Sequence, residues 1–290
     1  MKIFERNTQE IGKSLLVTLP KQWTKGLNIA KGDSLKMVVS EQGTLLIAPE
    51  FAAKREKKEV NIHYDEHFRR RFFREYFSGN EKISIQFKKE LAEKERKKLD
   101  DFLQRFMNAQ VVEESYLKIV IKCFTISELS IEECLKRMHF LVLNMFEEKA
   151  RTNEIRDTAT RFYYILVMQV RRFLLDGKFT TANEMPLIRV LDFRMNAEKI
   201  QRIASIVSSL ESSTAQYSLR EEVKNYYLRI FNCFISDNYE KALLLWQEGT
   251  EKQQKMHRLL ANTKSIKIYQ ELLSLYQIIT YAKEMSMLVR

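Results

Sequence analysis

The sequence has 290 residues, of which 45% are hydrophobic, so the chain is long enough for one or two domains with cores of their own. Its formal net charge of +11 favours polyanionic partners, either nucleic acid or an anionic membrane, although a lysine-rich solvated surface is an equally simple explanation. The three cysteines include no C-x-x-C pair, which argues against a zinc ribbon or a disulfide scaffold and favours a reducing, cytoplasmic location.

The first fifty residues turn often, since they contain four of the seven glycines and two of the three prolines. The stretch "SLLVTL" (Ser14–Leu19) predicts a strand that Pro20 ends, and "KQWTKGL" predicts a short helix that stops at Gly26. After a turn at "KGDS", the stretches "LKMVV" and "GTLLIAP" predict two more strands. A unit this small buries little hydrophobic surface, so we expect it to form a dimer or to pack against the rest of the chain.

The next segment mixes helices and strands. Its first residues, "AAKREKKEV" (52–60), form a charge run that predicts a linker or a solvated helix start. The pattern that follows predicts helices over 65–77 and 89–107, a strand over 82–87, and two strands within 109–124 that are joined by "EES".

Two features of this segment leave alternatives open. The tract "FRRRFFREYF" (Phe68–Phe77) is typical of a nucleic-acid surface with phosphate contacts and stacking, but also of an amphipathic helix with its aromatic side chains in a core. We favour the core. His63 and His67 lie four residues apart and could bind a divalent metal on a helix, but an exposed helix start with two ordinary histidines is the simpler interpretation.

From residue 127 onward the periodicity is helical. Ser130, with Glu133 three residues later, predicts the cap of the first helix. Two runs of three helices suggest an internal duplication of a three-helix unit, in which the third and sixth helices are the longest. The longest hydrophobic run, Phe162–Met168, is too short to span a bilayer and predicts a buried helix face. The six predicted helices cover 130–150, 152–175, 184–210, 220–235, 238–261 and 266–289.

A composite motif runs through the first fifty residues: G-x-S-x-x-V-x-L-P-x-x-W, then G-L-x-I-x-x-G-D-x-L, then G-x-L-x-I-x-P. The residues that form it are Gly12, Ser14, Val17, Leu19, Pro20, Trp23, Gly26, Leu27, Ile29, Gly32, Asp33, Leu35, Gly43, Leu45, Ile47 and Pro49. This pattern resembles the AbrB/SpoVT swapped-hairpin DNA-binding domains. The resemblance implies an intertwined dimer with a basic face on DNA, and Gly32 would give a turn its permissive backbone.

Basic residues flank the first strand and the short helix, the region that this resemblance assigns to DNA. Residues 1–58 contain 11 Lys and Arg against 6 Asp and Glu, so they hold a charge of +5. Such side chains would neutralise phosphates, and some would reach base edges. The predicted DNA-binding residues are Lys2, Arg6, Lys13, Lys21 and Lys25.

The resemblance continues beyond residue 50. The stretches "YFSGNEKISIQF" and "VVEESYLKIVIKCF", together with the six helices, resemble archaeal proteins that join an AbrB-like domain to a PhoU-like (phosphate uptake regulator) helical region. PhoU-like proteins can bind metal through carboxylates on facing helices. At the matching positions this chain has Gln201, Ser205, Tyr276 and Thr280, and it has Arg156 and Thr160 where the other acidic pair is expected, with Glu154 and Asp157 nearby. We therefore expect no metal and no other cofactor.

These patterns predict a mainly α protein with a small β domain at its N-terminus. The predicted parts are an AbrB-like DNA-binding and dimerisation domain (1–52), an α/β linking segment (53–125) and a PhoU-like six-helix bundle (126–290). No G-x-S-x-G motif or phosphate loop occurs, so nothing favours an enzyme.

The predicted function is a homodimeric, DNA-binding transcriptional regulator of the PhoU-like class, linked to phosphate uptake or a related metabolic response. Its helical region would act as a sensor, a dimerisation surface or a site for a protein partner. The main alternative is a PhoU-like adaptor that modulates phosphate transport or signalling through protein contacts, without sequence-specific DNA binding. A third interpretation is an antitoxin-like role, against which the long helical region argues.

Overall fold

The structure, a computed structural model, describes residues 4–39, 43, 45–49, 59–124, 126, 129–147, 151–176, 186–210 and 216–290. The chain forms two compact units. The N-terminal unit comprises residues 1–57, and the C-terminal unit comprises 58–179 and 185–290. The C-terminal unit combines the α/β segment with the helices, and the predicted boundary at residue 125 within it stays a prediction.

Within its described residues, the N-terminal unit has two β-hairpins and one short helix. Strand β1 pairs with β2 and strand β3 pairs with β4, both in antiparallel fashion. The predicted strand Ser14–Leu19 is shorter in the structure and ends at Leu16, because its partner β1 has only three residues. Strand β1 was not predicted, since Gln9 and Glu10 give it little hydrophobic character. The elements are β1 (Gln9–Ile11), β2 (Ser14–Leu16), α1 (Lys21–Gly26), β3 (Leu35–Val39) and β4 (Leu45–Pro49).

Positive φ angles define the turns of this unit. Gly32 has a φ of 95°, which confirms the predicted role of its permissive backbone. The predicted helix end at Gly26 is confirmed, since α1 spans Lys21–Gly26. The left-handed residue that follows is Asn28, with a φ of 52°. Asparagine adopts this conformation more easily than most residues because its short side chain forms local hydrogen bonds.

The C-terminal unit begins with a four-stranded sheet covered by two helices. The strand order is β5-β6-β8-β7, with β5 parallel to β6 and the other pairs antiparallel. The elements are β5 (Glu59–His63), α2 (Phe68–Phe77), β6 (Lys82–Gln86), α3 (Glu93–Leu103), β7 (Ala109–Ser115) and β8 (Lys118–Cys123).

The boundaries in this segment differ from the predicted ones. Strand β5 begins at Glu59, so residues 59 and 60 belong to a strand and not to a linker or a helix, while 51–58 lie outside the described residues. The reversal between β7 and β8 falls at Tyr116 and Leu117 instead of "EES", because Ser115 already pairs with Lys118. Helices α2 and α3 are both shorter than predicted.

All six helices predicted after residue 127 are present. The predicted cap is confirmed: the Glu133 amide donates to the Ser130 hydroxyl (3.1 Å), and the Ser130 amide donates to the Glu133 carboxylate (2.7 Å). The longest helices are the second and fifth, not the third and sixth, since the third begins only after its N-cap, Pro186. The helices are α4 (Ile131–Glu147), α5 (Thr152–Asp176), α6 (Leu187–Ser209), α7 (Tyr217–Ser236), α8 (Tyr239–Asn262) and α9 (Ile266–Ser286).

The helices pack in two groups of three. Helices α4, α5 and α6 contact one another, as do α7, α8 and α9, and the groups meet through α6 with α9 and α4 with α7. A second core lies between the sheet and helices α2 and α3, and Tyr164 and Met168 of α5 pack against it. The three cysteines are buried and free. Within the described part of the chain, no helix is both long enough and apolar enough to cross a membrane.

Candidate nucleic-acid interface

Lys13 lies at the tip of the first hairpin. Ile11 pairs with Ser14, so Gly12 and Lys13 form a two-residue turn. Gly12 has a φ of 65°, which suits the first position of such a turn because glycine adopts positive φ without steric cost. The fold therefore places the exposed Lys13 side chain at the end of a short hairpin.

Lys21 and Lys25 lie on one side of helix α1. Pro20 is the N-cap, with its carbonyl accepting from the amides of Trp23 (2.9 Å) and Thr24 (3.1 Å). Because Lys21 and Lys25 are four residues apart on this helix, their side chains emerge from neighbouring positions. Both side chains are exposed. The short helix thus presents two adjacent positive charges to solvent.

Arg6 precedes the first strand and is also exposed. Its guanidinium donates to the carbonyl of Glu5 (2.8 Å) and lies 5.9 Å from the ring centre of Phe4. Lys2, the fifth predicted DNA-binding residue, lies outside the described residues. In the part of this unit that is described, no carboxylate forms an ion pair with Arg6, Lys13, Lys21 or Lys25, so their charges are available to a ligand.

A closed turn separates helix α1 from the second hairpin. Asp33 accepts a hydrogen bond from the amide of Ala30 (2.6 Å) through its side chain, and Gly32 between them provides the positive φ. This Asp33 carboxylate is therefore committed to its own backbone. The predicted turn at "KGDS" is observed, and the Asp33 side chain stabilises it.

The described residues of the N-terminal unit form no core of their own. None of its side chains whose burial is described is buried. Leu15 is 74% exposed and Val39 is 71% exposed, although both belong to strands. Hydrophobic strand residues normally face a buried surface, so these side chains leave a large apolar area uncovered in the single chain. The other large exposed hydrophobic residues of this unit are Phe4, Ile11, Leu16, Val17, Met37 and Leu45.

His63 and His67 do not share a helix. His63 is the last residue of β5 and His67 is the N-cap of α2, so the metal site considered from their four-residue spacing has the wrong geometry. The amide of His67 donates to the Asp65 carboxylate (2.8 Å) in the intervening turn. The simpler interpretation of two exposed histidines near a helix start fits this arrangement.

The positions compared with the carboxylates of PhoU-like proteins form neutral hydrogen bonds. The hydroxyl of Ser205 donates to the carbonyl of Gln201 (3.1 Å), and the hydroxyl of Thr280 donates to the carbonyl of Tyr276 (3.0 Å). The nearby acids are paired with arginines, Glu154 with Arg151 (2.9 Å) and Asp157 with Arg156 (2.9 Å). Where side chains are described, no three His, Cys, Asp or Glu residues lie close enough together to hold a metal ion.

Helix α2 faces its aromatic residues inward. Phe68, Phe72 and Tyr76 are buried against the sheet and helix α3, so the core interpretation of "FRRRFFREYF" is confirmed. Phe73 and Phe77 pack against Tyr164, with ring centres 5.4 and 5.7 Å away. None of these rings is free to stack on a nucleic-acid base. The four arginines of the tract emerge elsewhere on the helix.

Residues 8–58 match the family model described as "Antidote-toxin recognition MazE, bacterial antitoxin". The match covers less than a fifth of the chain and includes all five strands and helices of the N-terminal unit. It supports the predicted AbrB-like character of this part of the sequence. No curated protein and no solved structure is significantly similar to the chain.

Proposed function

We propose that the protein is a DNA-binding transcriptional regulator whose N-terminal unit binds DNA. The observation that carries the proposal is the match of residues 8–58 to a MazE-type domain. In this region Lys13, Lys21 and Lys25 are exposed and form no ion pair with a described residue. These cations would neutralise backbone phosphates, and those on α1 would approach base edges. The protein acts by binding, without catalysis and without a metal.

The DNA-binding form is proposed to be an intertwined dimer. Residues 17–19 continue from β2 without a partner strand among the described residues, and Leu15 and Leu16 project into solvent next to them. A second copy would extend the hairpin and cover these side chains, because paired strands satisfy their backbone groups and bury their apolar face. Dimerisation would also double the positive charge offered to DNA.

The C-terminal unit is proposed to be PhoU-like and to link DNA binding to phosphate uptake or a related response. Two mutually packed groups of three helices, joined through the third helix of each, support the idea of a duplicated three-helix unit. In this role the unit would bind an effector or a protein partner.

An antitoxin function is a second candidate, favoured by the family description of residues 8–58. Antitoxins of this kind would need a segment free to bind the toxin. From residue 59 onward, however, the chain pairs into the sheet through β5 and continues as a packed unit. A toxin partner would co-elute with the full-length protein at fixed stoichiometry after expression in its natural host, and its absence there would remove this candidate.

The regulator is tested by measuring binding of the full chain to genomic DNA fragments at several salt concentrations. Each phosphate contact contributes about 0.9 to the slope of log affinity against log salt. We expect the double variant Arg6→Ala/Lys13→Ala to lose strong binding and to lower this slope, while its oligomeric state and helical content stay unchanged. Both side chains are exposed, so their removal leaves the fold intact.

Two results would contradict the proposal. Binding by the double variant that equals binding by the parent would show that these charges serve only solubility. A parent protein without any salt-dependent DNA binding would favour the alternative function, an adaptor that acts through protein contacts.

A further inference from the structure

Helix α2 has two sides of different chemistry. Its aromatic side chains lie in the core, and its other side carries His67, Arg70, Arg71 and Arg74. These four residues line one shallow cavity of about 290 Å³. Its lining contains three arginines and no carboxylate, so the lining itself is a positive concave surface in the C-terminal unit. Three acids lie beside it: Asp65 next to Arg71, Glu66 next to His67 and Glu75 next to Arg74.

Arg71 is committed to the fold. Its guanidinium forms an ion pair with Asp65 and donates to the carbonyl of His63 (3.1 Å). The hydrogen bond from Arg71 holds the pKa of the Asp65 carboxyl below its usual range, so this pair stays charged. Arg71 therefore fixes the loop between β5 and α2. It also adds a positive charge to the lining of the cavity.

Arg70 and Arg74 have no comparable commitment. Within the described residues Arg70 forms no hydrogen bond or ion pair, and the Nε of Arg74 lies 3.5 Å from the Glu75 carboxylate with 81% of the side chain exposed. The two arginines are four residues apart on one helix, so their guanidinium groups reach the same region of solvent. Two like charges held side by side repel each other, and a bound anion would relieve this repulsion.

We infer that this side of α2 is a second nucleic-acid-binding surface, which contacts backbone phosphates and does not stack on bases. Guanidinium groups bind phosphate oxygens in a bidentate manner and keep their charge at any physiological pH. The row from His67 to Arg74 extends about 10 Å along the helix, longer than a single phosphate group. Duplex DNA offers one negative charge per about 1.7 Å of its axis, so it can engage the whole row. The inference rests on the proposed function.

The test compares two double variants of the full chain in salt-dependent DNA binding. Arg70→Ala/Arg74→Ala removes the two uncommitted arginines. Lys97→Ala/Lys98→Ala removes two exposed positive charges from α3, which makes it a matched control for net charge and helical context. We expect the arginine variant to lower the slope of log affinity against log salt by about 0.9 for each phosphate that it no longer neutralises, and the control to change it much less.

A third variant, Arg70→Lys/Arg74→Lys, separates charge from geometry. It should restore most of the slope, because lysine keeps the positive charge, but with weaker binding at low salt, because lysine cannot bind a phosphate through two parallel hydrogen bonds. Thermal unfolding, monitored by circular dichroism, checks that all three variants retain the parent fold.

The outcomes distinguish this inference from the proposed function. If Arg6→Ala/Lys13→Ala weakens binding but Arg70→Ala/Arg74→Ala equals the lysine control, this surface does not bind DNA and only the inference fails. If the parent chain binds no DNA, the proposed function and this inference fail together. If the arginine variant keeps the parent's slope for DNA but loses an affinity for inorganic phosphate that the parent shows, the surface binds free phosphate and the inference is wrong.

Discussion

The two units of the molecule differ in the solvent exposure of similar hydrophobic residues. In the C-terminal unit Leu275 has no solvent exposure, and Tyr226 and Tyr227 are completely buried. In the N-terminal unit Leu15 is 74% exposed, and none of the side chains with described burial is buried. The C-terminal unit thus buries its hydrophobic residues within one chain, whereas the described part of the N-terminal unit leaves them exposed, as the proposed dimer would require.

Element length explains the difference. Helices of 17 to 25 residues present several turns of apolar surface to their neighbours, and six of them enclose a continuous core. Strands of three residues paired in a single hairpin have one uncovered face and two open edges. A small unit also has too little volume for its surface, so its hydrophobic residues remain in contact with water.

The largest loss of stability is expected from breaking a deeply buried ion pair between α7 and α9. The Nε of Arg220 lies 2.6 Å from the Glu271 carboxylate, and both side chains are less than a tenth exposed. Glu271→Gln removes the negative charge but keeps the shape, leaving the arginine charge in a poorly solvated place. We expect a loss of about 3–5 kcal/mol in the free energy of unfolding, measured by urea denaturation.

Glu198→Gln is the matched control for that substitution. Glu198 pairs with Arg202 one helical turn away (2.8 Å), and both side chains are more than two-fifths exposed. Solvent screens such a pair, so this variant should lose less than about 1 kcal/mol. Equal losses for the two variants would show that burial does not govern the stability of ion pairs in the C-terminal unit.

The second prediction compares one substitution in both units. Leu275→Ala leaves a cavity in the helical core and should cost about 2–5 kcal/mol at every protein concentration. Leu15→Ala changes a side chain that is mostly in solvent within the single chain, so its effect should appear in the dimer. We expect light scattering to detect weaker dimerisation of the Leu15 variant, with thermal unfolding of the helices unchanged.

The comparison between the units breaks if the Leu15 variant behaves otherwise. If the parent protein is monomeric at micromolar concentration, no partner chain covers the N-terminal unit. A Leu15 variant that lowers the unfolding temperature of the helices as much as Leu275→Ala does would show that the exposed leucine supports the C-terminal unit.

The sequence predicted best those elements whose signal lies within one element. The six long helices have apolar residues at three- and four-residue spacing, and Ser130 with Glu133 marks the first of them locally. Strands β1 and β5 were missed because their short, mostly polar sequences become strands only through pairing with another strand. The turn at Tyr116 was also misplaced, because the register of β7 and β8 is set by the whole hairpin.

The candidate interfaces show the same limit. The five predicted basic residues could be found from a motif and from local charge, although their roles stay predictions. The sequence could show that α2 mixes arginines with aromatics. It could not show that Arg71 would pair with Asp65 while Arg70 pairs with none of the described residues, since that depends on a loop conformation. The pairing of Arg220 with Glu271 joins residues far apart in sequence and leaves no local pattern.

The smallest effect concerns pH and the buried His139. Its Nδ1 lies 3.0 Å from the Tyr227 hydroxyl, and its ring stacks on Phe231 at 3.6 Å. Burial lowers the pKa of His139 to about 3, so the folded protein keeps this ring neutral in mild acid. The unfolded chain takes up a proton on the same ring as the pH falls through about 6.5. Stability is therefore fully present above that value and decreases below it.

The size of this effect follows from the proton balance. Between pH 6.5 and pH 5 only the unfolded state binds the proton, which should remove about 1.5 kcal/mol from the free energy of unfolding. Urea denaturation at both pH values measures it. His139→Leu should lose this part of the pH dependence, although its stability is lower at both values because the Tyr227 hydroxyl loses its partner on α4. His257→Gln, at an exposed position on α8, should retain the pH dependence of the parent. The N-terminal unit has no histidine. If the pH dependence survives in the Leu variant but disappears in the Gln variant, it arises from the surface of the C-terminal unit and not from its core.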